Sequence, residues 1–475
     1  MQRLMRFLQG RTIAVFLLSL WVCGPAAADL GKRINEIIEK RKGGTHSICV
    51  VEPDSGTTIY SHQATEALIP ASNMKLVTTA AALEYLGRDF EYCTRVGLCD
   101  DTLVVIGSGD PLFGDKETDA RENRQNGWIF ERIAAALQAE GIEEINDIIV
   151  DTTVFDDERV HPSWPASDHN KWYACEVCGL NYNGNCIDVI ASRLGNSVAV
   201  SIEPSTTFVQ IINEVQAVSN GDGAVGALRN RQPNKITIFG KCKDKQGPFR
   251  VAIEQPAAFF GYLLAENLVR VGINARGRLI EKAAPDDCEF VLFVEFTTPM
   301  ADVLHRANTD SLGLAAEALL KTMAAHSDQS ATNGSWTRGR ELLSKYLSGL
   351  GIASEEFHIN DGSGLSRENR LSAHAIATML LALYRSDAWE LYEASLAIGG
   401  ETGTIGRYFK EPQYQGNVLG KTGYISGVRS FSGICRTQDG PYLFSIISNG
   451  PRGLSRDEIN GVAKAIMDEF DGNDG

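Results

Sequence analysis

Residues 70–83 read PASNMKLVTTAAAL. Leu76 to Leu83 is mostly apolar, which predicts a largely buried helix ending near Gly87, a residue suited to a helix C-terminus. A lysine in such a helix wants a reason, because lysine is rarely buried unpaired. Ser72 opens the stretch and Lys75 follows three places later. Residues three apart share a helix face, so the spacing predicts contact between the Ser72 hydroxyl and the Lys75 amine. A serine hydroxyl is a poor nucleophile until a base takes its proton. Lysine becomes that base when burial or a neighbouring cation lowers its pKa. The start of a helix also turns free N–H groups and a positive dipole end towards an oxyanion formed there. In isolation Ser-x-x-Lys fits a helix cap beside a surface lysine equally well.

A second stretch narrows the choice. Gly420-Lys-Thr-Gly423 runs into Tyr424-Ile-Ser-Gly-Val-Arg-Ser-Phe-Ser-Gly433. Lys421 and Thr422 suit a carboxylate, one by charge and one by hydroxyl. Gly423 allows a ligand to approach a strand edge closely. The next strands, Arg429–Thr437 and Tyr442–Asn449, flank the hairpin signal Gln438-Asp-Gly440.

The 475 residues have room for more than one domain. A formal net charge of −15 argues against non-specific nucleic-acid binding, which leaves a basic footprint. Residues 1–28 read as an export signal: Arg3, Arg6 and Arg11, then an apolar core at 12–22, then Ala26-Ala27-Ala28. Cleavage near Ala28 and a periplasmic mature chain are the expectation, with an uncleaved anchor as the alternative. The ten cysteines suit an oxidising compartment. Cys175, Cys178 and Cys186 lie close in sequence, but no histidine follows at ligand spacing, so disulfides are favoured over a metal site there. Short strand-like runs and Gly-rich turns fill residues 98–295, whereas helical periodicity marks both ends. The division expected is a first catalytic part at 29–97, a strand-rich insertion at 98–295, and a second catalytic part at 296–475. Residues 468–475 read as a free acidic tail.

Ser-x-x-Lys early and Lys-Thr-Gly late is the order seen in penicillin-binding proteins and β-lactamases. Together with IGSGDPLF (106–113) and NDGSGLSRENRLS (360–372), these stretches give a chain that resembles the class C low-molecular-mass penicillin-binding proteins, the D-alanyl-D-alanine carboxypeptidases/endopeptidases. The resemblance covers nearly the whole mature chain. It implies an α+β fold, an antiparallel sheet flanked by helices in a transpeptidase-like domain, split by a large insertion. It implies Ser72 as nucleophile, Lys75 as its base and Ser311 as a proton relay. Lys421, Thr422, Gly423 and Tyr424 would hold the substrate, and an oxyanion would rest on the N–H groups of Ser72 and Tyr424. Peptidoglycan stem peptides and β-lactams are the implied partners, no metal or organic cofactor is required, and a peripheral membrane or cell-wall association is compatible with it.

One motif departs from the pattern. The family's Ser-x-Asn aligns with Ser311-Leu312-Gly313 in NTDSLGLAAEALLK (308–321). The missing asparagine would orient the lysine and the substrate amide, so Gly313 is expected to slow the reaction; Asn308 lies close by in sequence as a candidate substitute, although its spacing to Ser311 is wrong for the motif. A weakened homologue that only binds cell-wall peptides is the alternative. The chain is too long for a class A β-lactamase. No G-x-S-x-G elbow or compelling histidine motif supports a Ser-His-Asp esterase.

Overall fold

The computed structural model describes residues 25–41, 43–327 and 333–471. The export signal expected over 1–28 lies outside the described residues up to position 24, and its last four residues open the first helix, Pro25–Ile38. Among the described residues no helix is long and apolar enough to cross a membrane.

A six-stranded antiparallel sheet joins the two ends of the chain. Its order is Ala397–Ile398, Val418–Ile425, Val428–Thr437, Gly440–Asn449, Thr45–Glu52 and Thr57–His62. The central strands are buried on both faces, so they read as apolar runs rather than as clean alternation. On one face Leu30 and Ile34 from the first helix pack with Ile459, Val462 and Ile466 from the Arg456–Phe470 helix, over Phe431 and Phe444. That last helix carries a capping box, Ser455 with Glu458. It runs through Asp468 to Phe470, so the free tail expected from 468 begins later than its charge suggested. The other face supports a helical layer: Met74–Leu86, Gly313–His326, Trp336–Gly349 and Ala373–Tyr384. Met74–Leu86 is buried over most of its length and stops at Gly87, whose φ of 86° only glycine adopts freely.

The inserted region holds its own sheets. A five-stranded sheet runs Leu279–Glu281, Ile148–Asp151, Thr102–Ile106, Glu91–Cys99, Phe290–Pro299. The expected boundaries at 97/98 and 295/296 therefore cut two paired strands. Tyr92 aligns with Thr298 and Arg95 with Glu295, so the strand-rich region reaches out to Glu91 and Pro299. A polar start such as Glu91-Tyr-Cys-Thr-Arg gives no composition shift to mark that boundary. Among the described residues the region also holds two three-stranded sheets and a two-stranded pair, Glu144–Ile145 with Asn274–Ala275. Its core centres on Phe113, Phe130, Tyr182, Phe259 and Phe260.

Among the described residues the disulfide is Cys99–Cys288, which ties the five-stranded sheet to the segment before its last strand. Cys175, Cys178 and Cys186 are free buried thiols, so the disulfides favoured there do not form. Among the described residues no cluster of histidine, cysteine and carboxylates has metal-binding geometry.

Candidate active site

Ser72 sits in a single 3₁₀ turn, Ala71–Asn73, just ahead of the Met74–Leu86 helix. It makes no capping hydrogen bond, so the cap reading fails. The turn is pinned to the sheet from two sides. Ser430 Oγ donates to Pro70 O at 2.6 Å, and Asn73 Nδ2 donates to Ser432 Oγ at 2.6 Å. Ala71 is held at φ 47°, an unfavourable conformation for a residue with a β-carbon. Gly423 lies against this turn: a β-carbon there would come within 2.8 Å of Pro70 O and 3.0 Å of Ser72 N. The close approach of strand and turn is what makes glycine necessary.

Lys75 Nζ lies 3.2 Å from Ser72 Oγ, the contact predicted from the spacing. It donates a second, shorter hydrogen bond, 2.7 Å, to the carbonyl oxygen of Ser363. Lys75 is 3 % exposed. Burial lowers its pKa to about 8, against the opposing charges of Glu317 and Asp361.

Ser311 lies between the Met300–Asn308 and Gly313–His326 helices at φ 64°, again a strained position. Lys421 Nζ donates to Ser311 Oγ at 2.8 Å and to Thr422 O at 2.8 Å. Burial, then the neighbouring Lys75 and Arg456, push Lys421 well below the ordinary lysine range. Thr422 Oγ1 donates to Thr404 Oγ1 at 2.9 Å. Tyr424 is exposed, with the Arg429 guanidinium 4.6 Å from its ring centroid. Ala397–Ile398 pairs with Leu419 and Gly420 only, so the strand edge from Lys421 to Ile425 has no sheet neighbour on that side among the described residues.

The turn carrying Ser311 is clamped from the inserted region. Arg306 Nε and Nη2 donate to Asp115 at 2.9 and 3.1 Å, Arg306 Nη1 donates to Asp310 at 2.5 Å, and Leu312 N donates to Arg306 O at 2.9 Å. Asp115 is fully buried, so this pair is shielded from solvent.

The 360–372 stretch is an ordered wall rather than a surface loop. Asp361 accepts from Trp164 Nε1, Gly364 N, Ser366 N and Asn369 Nδ2. Glu317 accepts from Ser363 N, Gly362 N and Trp336 Nε1. At Gly313 an added β-carbon would meet Tyr173 O at 3.1 Å and Ser363 Cβ at 3.9 Å, so the inserted region presses on the position where an asparagine was expected. Asn308 does not replace it: its Nδ2 donates to Ser395 Oγ and Thr79 Oγ1, inside the helical layer.

Thus Ser72, Lys75, Ser311, Lys421, Thr422, Gly423 and Tyr424 gather at one seam between sheet and helices. Sequence reasoning missed Glu317, Asp361 and the Ser363 carbonyl. A glutamate in the alanine-rich run 314–324 was the one available signal, since a buried carboxylate needs donors.

The sequence pattern of the D-Ala-D-Ala carboxypeptidase 3 (S13) family matches residues 30–472. The chain belongs to that family, and with it to the serine-type carboxypeptidases that are penicillin-binding proteins. It is 29 % identical to a D-alanyl-D-alanine carboxypeptidase from an Actinomadura strain, over 97 % of this chain and 90 % of that one. It is 22 % identical to the D-alanyl-D-alanine carboxypeptidase DacB of Haemophilus influenzae, over 88 % of each. The crystal structure of penicillin-binding protein 4 from Haemophilus influenzae shares the fold, with a TM-score of 0.77 and 20 % identity over 92 % of this chain and 99 % of that one.

Proposed function

We propose that Ser72 attacks the carbonyl between two D-alanine-type residues of a peptidoglycan stem peptide, and that the mature protein does this after export to the periplasm. The observation that carries the reading is the 3.2 Å approach of Lys75 Nζ to Ser72 Oγ in a buried setting that keeps the amine titratable near pH 8. Neutral Lys75 takes the Ser72 proton as the C–O bond forms. The N–H groups of Ser72 and Tyr424 stabilise the oxyanion. The unpaired edge at 421–425 lets the substrate lie along the strand as an added neighbour. Thr422 and Lys421 hold its carboxylate, and Ser311, bonded to Lys421, passes a proton to the leaving amine as the C–N bond breaks. Water then releases the acyl group from Ser72. The same steps on a cross-linked peptide give endopeptidase action. β-Lactams acylate Ser72 by the same route, in keeping with the Haemophilus influenzae protein crystallised in complex with a novel β-lactam.

The second reading, a weakened homologue, rests on Gly313, which supplies no side-chain amide to the site. One assay separates the two: incubate the mature protein with purified peptidoglycan fragments and weigh the products. Loss of a terminal D-alanine, or cleavage of a cross-link, is the expected result. Binding without any product supports the weakened homologue and refutes the enzyme.

A further inference from the structure

Glu317 is wholly buried on the Gly313–His326 helix, four residues after Gly313 and hence on the same face. Its two carboxylate oxygens collect three donors. Ser363 N donates to one oxygen at 2.7 Å, while Gly362 N at 3.0 Å and Trp336 Nε1 at 2.8 Å donate to the other. Two consecutive backbone N–H groups on one carboxylate fix the peptide between them, whose oxygen is Gly362 O; the Ser363 carbonyl starts the next peptide, whose Gly364 N donates to Asp361 Oδ1 at 2.7 Å. The Ser363 carbonyl receives the 2.7 Å hydrogen bond from Lys75 Nζ. Thr78 Oγ1, one turn along from Lys75, donates to the preceding carbonyl, Gly362 O, at 2.8 Å. Gly313 leaves this helix face bare, and the Ser363 side chain lies next to the space a β-carbon would fill.

We propose that Glu317 is a positioning residue for Lys75: by holding the N–H groups of Gly362 and Ser363 it fixes the residue whose carbonyl, instead of a side-chain amide at position 313, orients the base. This rests on reading Lys75 as the base of acylation. Glu317 also acts by charge. The groups facing this pair are Asp361, on the loop that carries Ser363, and Lys421 across the site; His161 from the inserted region faces Asp361, and its Nε2 lies 3.0 Å from Asn360 O. Burial and the nearby Asp361 raise the Glu317 carboxyl to about 7. Above that pH its negative charge favours the protonated form of Lys75.

A buried glutamate that merely satisfies three donors makes a different forecast from one that sets the base, and the pH profile tells them apart. The second-order rate of labelling by a fluorescent penicillin is measured across pH for wild type, Glu317→Gln and Glu317→Asp, with thermal unfolding to confirm that each is folded. Glu317→Gln removes the charge that opposes deprotonation, so its acid limb moves to lower pH. Glu317→Asp keeps the charge but withdraws the acceptor by one methylene, so its limb stays in place while the plateau falls about a hundredfold, the usual cost of misplacing a group by about 1 Å. A folded Glu317→Gln with an unmoved limb overturns the proposal, as does a folded Glu317→Asp that labels at the wild-type rate. If Glu317→Gln does not fold, the aspartate variant decides. A wild type that does not label at all refutes the assignment of Lys75 itself, a failure visible before any variant is made.

Discussion

Gly313 and Tyr173 are in near contact across the junction of the helical layer and the inserted region: a β-carbon on Gly313 would reach 3.1 Å from the Tyr173 carbonyl oxygen. That oxygen belongs to backbone, in the short 3₁₀ turn Trp172–Ala174, and cannot rotate away as a side chain would. Two effects compete in Gly313→Asn. Replacing glycine in a helix gains at most about 1 kcal/mol, whereas overpacking a close contact typically costs about 1–3 kcal/mol. The contact wins. Gly313→Asn is therefore expected to be less stable to urea and no faster in penicillin labelling, contrary to the acceleration that loss of a motif residue suggests from sequence. A variant that is both as stable and several-fold faster would show that the Tyr173 segment yields.

With Lys75 as the proposed base, the pH dependence of acylation follows from its pKa. Its pKa is lowered by burial to about 8, and only the neutral amine accepts the Ser72 proton. Labelling should therefore rise about tenfold per pH unit on the acid side and level off above about pH 8. A rate that is flat from pH 6 to 9 would exclude Lys75 as the titrating base.

Lys421 touches Ser311, the proposed proton relay, as well as Thr422, a proposed binding residue. Its 2.8 Å hydrogen bond to Ser311 Oγ makes a purely substrate-holding role too narrow. Lys421→Ala is expected to raise KM and also to lower the acylation rate, by about a hundred- to a thousandfold if one positioned donor is lost. Lys75→Ala should abolish acylation outright. Stopped-flow acylation rates separate the two effects; an unchanged rate constant at saturation in Lys421→Ala would return that residue to binding alone.

Stability should depend on the clamp between the inserted region and the Ser311 turn. Arg306→Ala leaves Asp115 buried without its partner, and breaking a buried pair from one side typically costs about 3–5 kcal/mol. It also frees Asp310, the neighbour of Ser311. Urea unfolding should show the loss, with labelling slowed in the protein that remains folded. A loss under about 1 kcal/mol would mean that water reaches Asp115.

What could be read from the sequence was local. Ser72 and Lys75 are three apart, so a helical spacing was enough to place them in contact. The 437–442 hairpin and the helix capped by Ser455 also carry short-range signals. What could not be read was long-range and carried by backbone. Lys75 and Ser363 are 288 residues apart, and the acceptor is a carbonyl that any residue possesses. Tyr173 reaches Gly313 in the same anonymous way. The strand Glu91–Cys99 pairs with Phe290–Pro299 across the whole insertion, so no local composition marks where the insertion starts.

The most direct test is to map the covalent adduct. The mature protein is treated with a β-lactam, digested, and its peptides are sequenced by mass spectrometry. The expected result is one modified peptide with the mass on Ser72, lost in Ser72→Ala. A stable adduct on Ser311 or Ser363, with Ser72 unmodified, would contradict the assignment of the nucleophile and the roles built around it.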